Sequence, residues 1–152
     1  MLAVVRPDAW NFPLFLHVGG AMALVASLVM ALYAIRIARM RGDQPAAQFA
    51  FRVLWRFTLP AFIAMRIGAE WIASKEHLES SNDAWVGIGF TVADGGLLLL
   101  IIGLVLTGLM ARRSKRGASV AGATPLTAAA ALSGVLILAY VVAIWAMTTK
   151  PT

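Results

Sequence analysis

Residues 84–116 read AWVGIGFTVADGGLLLLIIGLVLTGLMARRSKR. Up to Arg112 the only charge is Asp94. The run exceeds the roughly 20 apolar residues that a helix needs to cross a hydrocarbon core of about 30 Å. It closes on Arg112, Arg113, Lys115 and Arg116, the basic flank that marks the cytoplasmic end of a membrane helix. The span, about 84–111, is longer than crossing requires, so it either tilts or lies partly along the outer surface over residues 84–93.

The rest of the chain repeats the pattern. Of 152 residues, 61% are hydrophobic and 13% charged, about half the charge of a soluble domain. The expected fold is all-α: a four-transmembrane-helix bundle forming a single integral membrane domain over residues 1–152, with helices about 13–37, 49–73, 84–111 and 125–148. The apolar run after the N-terminus is too long for the core of a cleaved signal and ends in Arg36, Arg39 and Arg41, so it reads as a retained span. Residues 39–48 read as a polar loop and 117–124 as a loop of small residues. Pro60, inside the second span, is expected to kink it. Gly19, Ala23, Ser27 and Ala31 fall at every fourth position of the first span, a stripe of small residues that lets another helix approach.

Charge placement sets orientation. Arg36, Arg39, Arg41, Arg52, Arg56 and the 112–116 cluster oppose only Asp43 on one side. Arg6, Lys75 and Lys150 face Asp8, Glu76, Glu79 and Asp83 on the other. The positive-inside rule makes this a multi-pass protein of a bacterial plasma membrane with both termini extracytoplasmic. Trp10, Trp71, Trp85 and Trp145 fall on that outer rim, as an aromatic belt does. The net charge of +6 therefore serves topology and anionic lipid, and nucleic acid is not a partner. The small-residue stripe allows a homo-oligomer or a place in a larger membrane complex as readily as packing within one chain.

An internal repeat is visible. His17-Val-Gly-Gly in span one and Ala93-Asp94-Gly-Gly in span three are each followed by Arg36 or Arg112 at the same spacing. This 2+2 pattern is that of two parallel copies, as in some transporters.

Depth then singles out a few polar groups. At 1.5 Å per residue, His17 lies about 28 Å above Arg36, Asp94 about 27 Å above Arg112, and Glu70 about 27 Å above Arg52. Arg66 reaches the same layer from below. Ionisable groups inside a bilayer are costly and need partners, a cavity or a function. One reading is structural: Arg66, Glu70 and Asp94 neutralise one another and lock helix register. The other is an outer-leaflet polar pocket of His17, Arg66, Glu70 and Asp94 that binds or transports a small ion or solute. In that reading a proton is carried by His17 or a buried carboxylate, or a divalent metal ion is held by His17, Glu70 and Asp94, with His77 near. Haem ranks below these, because His77 lies in a loop and no other histidine matches His17 in depth. With no cysteine, thiolate metal sites and iron–sulfur clusters are excluded. No phosphate-binding loop, dinucleotide fingerprint or nucleophile elbow is present, so nothing in the chain argues for an enzyme, and a quinone-linked redox role ranks with haem.

Phe15-Leu16-His17-Val18-Gly19-Gly20-Ala21 resembles the Leu-His-x-x-Gly-Ala opening of small bacterial predicted integral membrane proteins, themselves loosely similar to the membrane part of the copper-resistance D group. Thr107-Gly108-Leu109-Met110 is similar in flavour. The resemblance implies a bundle of four or more helices tied to metal handling, with His17 as the position carried over. The seven methionines are scattered in the manner of gap-fillers rather than of a copper path.

Overall fold

The computed structural model describes residues 11–76 and 84–149, and every regular element among them is helical. Helix α1 runs Asn11–Arg41, α2 Gln44–Val53, α3 Leu59–Glu76, α4 Ala84–Lys115 and α5 Thr124–Thr149. A π-helical turn, Leu54–Thr58, joins α2 to α3, so the chain forms a bundle of four rods. Trp10 and His77 lie outside the described residues.

Three rods, α1, α4 and α5, are long and apolar enough to cross a membrane. The composite second rod falls short of that composition, since α3 carries Arg66, Glu70, Lys75 and Glu76 within 18 residues.

The turns at the basic end are tighter than the sequence suggests. Residues 39–48 are not a polar loop. Helix α1 runs on to Arg41, Gly42 takes φ +68°, and Asp43 caps α2 by accepting a 3.0 Å hydrogen bond from the Ala46 amide. The cap and Pro45 in the first turn start a helix despite the polar composition. Likewise, 117–124 is more than a small-residue linker. Gly117, at φ +77°, ends α4 with the paired bonds Gly117 N–H to Ser114 C=O and Ala118 N–H to Arg113 C=O. The loop then folds back and Val120 is fully buried (0% exposed) beside Ile35, Ala38, Ala47, Met110 and Leu126. The Gly122 amide caps the Arg39 carbonyl at 3.0 Å.

Pro60 does not break the second rod. Its ring crowds the Arg56 carbonyl, and it has no N–H to offer that group. The helix answers by widening: the Leu59 amide bonds to Leu54, one residue further back than in an α-helix. The buried Thr58 hydroxyl reaches the Val53 carbonyl across the same turn.

The stripe of small residues is used in its lower half, where Ser27 and Ala31 are buried, and not at its outer end. Gly19 faces open space and Ala23 is exposed. The close approach is at Gly20, where an added Cβ would sit 2.5 Å from the Met65 backbone nitrogen. It recurs at Gly68, where a Cβ would sit 2.5 Å from the His17 nitrogen. These two glycines bring α1 and α3 into antiparallel backbone contact. In the other hairpin Gly95 is open, whereas Gly96 accommodates the Tyr140 ring from α5.

The four rods form a ring in which α1 packs on α2, α3 and α5, and α5 on α4. At the basic end α2 also packs on α4, with the Phe51 ring lying over Gly108. The Ser114 hydroxyl donates to the Gln44 carbonyl and accepts from Gln48 there. Past the π turn the second rod leaves α4, and α3 barely touches it. Two apolar clusters, one around Leu24, Leu28, Leu54 and Leu100 and one around Val120, fill the axis toward the basic end. The gap between α3 and α4 at the opposite end is where the polar residues gather.

Candidate functional site

Gly68 shapes the site first. Without a side chain there, the α1 backbone comes against α3, and the His17 Nδ1–H donates to the Met65 carbonyl at 3.1 Å. A carbonyl can only accept, so the proton is on Nδ1 and Nε2 keeps the lone pair in the neutral ring.

Arg66 stands one residue on from Met65 and faces the other way, toward α4. Its guanidinium meets Glu70 Oε1 at 2.8 Å and Asp94 Oδ1 at 3.0 Å. It also lies 5.3 Å from the centre of the Phe90 ring, one turn before Asp94. The side chains are 27%, 45% and 70% exposed for Arg66, Glu70 and Asp94. The triad is thus a brace across the mouth of the gap, with a net charge of −1 and its most open member on α4.

Behind the brace lies a cavity of about 340 Å3 between α1, α3, α4 and α5. Its wall is mostly apolar, including Ala93, Phe90, Val86, Ile144 and Met147. His17, Arg66, Trp85 and Tyr140 are the lining residues that carry polar side-chain groups. Glu70 and Asp94 do not line it.

The four residues singled out by depth are therefore divided. Arg66, Glu70 and Asp94 come together. His17 is turned into the α1–α3 seam and shares only the cavity wall with Arg66. The metal set of His17, Glu70 and Asp94 is not assembled: among the described residues no three of His, Asp and Glu stand close enough to hold a metal ion. Both carboxylates meet a fixed guanidinium, which supplies the positive charge that a cation would bring.

Tyr140 was not visible as a site residue. It is 5% exposed, on α5, and its hydroxyl is the single buried side-chain polar atom among the described residues without a hydrogen-bond partner. The other buried hydroxyls are satisfied: Thr107 donates to Gly103 and Ser133 to Ala129, each within its own helix. The available signal was only that Tyr140 is one of two tyrosines in the chain. The rim above the cavity is aromatic, with Phe12 edge-on to Trp71 at 6.1 Å and Lys75 over the Trp71 ring.

No family model, no curated protein and no solved structure matches the chain.

Proposed function

We propose that this protein is a multi-pass membrane binding component, its four rods spanning a bacterial plasma membrane, whose cavity takes up a small, mostly apolar solute at the outer leaflet. The observation that carries this is the 340 Å3 space between four helices, at the size where small-molecule sites begin, walled by apolar groups with a few polar ones. His17, the position carried over from the resemblance to the copper-resistance D membrane group, lines that space. Glu70 and Asp94, spent on Arg66, serve the helices rather than the solute in this reading. The equivalent use of Gly20 and Gly96, each against its own hairpin partner, supports an origin as two parallel copies.

The test is saturable binding. Purified protein in nanodiscs is titrated with indane, a compact apolar bicycle, and followed by calorimetry after subtraction of partition into protein-free discs. One site per chain is expected, abolished by Ala93→Phe, whose ring enters the cavity while the thermal midpoint stays within a few degrees. Non-saturable uptake, or saturable uptake indifferent to Ala93→Phe, rejects the proposal.

Orientation is part of the same proposal, with the basic end in the cytoplasm. Because the chain has no cysteine, a single one reports cleanly. In intact cells a membrane-impermeant maleimide should label Thr149→Cys and spare Lys115→Cys until the cells are lysed. Labelling of position 115 from outside would reverse the topology.

A further inference from the structure

The unpartnered hydroxyl of Tyr140 narrows the class of solute. In surroundings as apolar as these, a hydroxyl without a partner forgoes the stabilisation that each other buried hydroxyl obtains. A protein that needed only bulk there would be served by phenylalanine. Tyr140 lines the cavity, but its hydroxyl is turned onto Gly96, where an added Cβ would come within 2.6 Å of its oxygen, and is closed off from the space in the free protein. The missing side chain at Gly96 therefore makes room for a polar atom in an apolar seam. Facing the same space is His17, its Nδ1 occupied by the Met65 carbonyl. The carboxylates are drawn away to the brace, so the wall carries no anion to attract a cation, and the Arg66 guanidinium that lines it is already paired with Glu70 and Asp94.

We propose that the cavity binds an uncharged molecule with a rigid apolar body and a carbonyl-type oxygen, and that Tyr140 is the donor to that oxygen. The inference rests on the cavity being a solute site, as above. The apolar body displaces empty space lined by Phe90, Ala93, Ile144 and Met147, which stabilises binding without specificity. The carbonyl supplies the acceptor that the Tyr140 hydroxyl lacks, and that single bond separates ketone from hydrocarbon. Donation requires the hydroxyl to turn from Gly96 toward the solute, and that movement is part of the proposal.

The experiment compares 1-indanone with indane, two molecules of nearly the same shape that differ by one carbonyl. Both are titrated into protein in nanodiscs, with free concentrations corrected by partition into empty discs. The wild-type protein is expected to bind indanone roughly three- to tenfold more tightly. Tyr140→Phe should bring the ratio to about one by weakening indanone alone. If both bind equally to the wild-type protein, the donor role is overturned while the cavity reading stands, and this comparison needs no variant to fold. If a preference exists but survives in Tyr140→Phe, another group is the donor and the assignment fails. If neither binds, the cavity reading itself falls and the inference with it.

Discussion

Gly68→Ala should destabilise the protein by about 1–3 kcal/mol, although alanine favours a helix over glycine by about 1 kcal/mol. The added methyl would lie 2.5 Å from the His17 nitrogen, 2.8 Å from the Pro13 carbonyl oxygen and 2.9 Å from the His17 Cα. All three are backbone atoms, so no side chain can swing aside. Relief requires α1 and α3 to separate, which weakens dispersion along the seam and stretches the His17–Met65 bond. Gly20→Ala meets the Met65 backbone in the same way and should cost a similar amount. The double variant should cost less than the sum, because one separation relieves both clashes. Gly19→Ala and Gly95→Ala, which face open space, should be neutral or slightly stabilising. Reversible unfolding in mixed micelles measures all five, and a Gly68→Ala protein as stable as Gly95→Ala would refute the close crossing.

The second large effect is at Arg66. Arg66→Leu leaves Glu70 and Asp94 facing each other without their cation at the mouth of the gap. Removing one partner of a fully buried pair costs about 3–5 kcal/mol, and the partial exposure of these carboxylates lowers that figure. A loss of about 1–3 kcal/mol is expected. Adding Glu70→Gln and Asp94→Asn to Arg66→Leu should recover most of it, since the penalty comes from the stranded charges and not from lost bulk. The same unfolding assay decides it. Arg66→Leu at wild-type stability, or a triple variant worse than the single, would show that the brace holds nothing.

The sequence and the structure agree where averages over many residues decide. The apolar runs and basic flanks give all-helical rods and their approximate ends without reference to any contact. The disagreements occur where one atom decides. Composition hides the start of α2, because the Asp43 carboxylate outweighs five polar or small residues that otherwise read as loop. Four-residue spacing picks a stripe whose lower members, Ser27 and Ala31, are buried, but at the outer end the close approach is at Gly20 and not at Gly19. At 100° per residue, adjacent glycines point to different neighbours, and only the partner helix distinguishes them. The candidate site divides in the same way. Counting rise per residue sets Glu70 and Asp94 at one level with Arg66 below them, and in the structure Arg66 is ion-paired to both. Rise carries no information about azimuth, however, so His17 was grouped with carboxylates from which it turns away. Tyr140 escaped because its significance lies in the lack of a partner, which no sequence window records.

The packed basic end has a consequence for kinetics. With Val120, Leu126 and the Phe51–Gly108 contact blocking the axis, the chamber is a cul-de-sac. In the proposed reading, a solute that enters equilibrates at its mouth, so residence time rather than throughput is what the fold can tune. Delivery to the opposite face would require the two hairpins to part along their whole lower length, a cooperative rupture akin to partial unfolding.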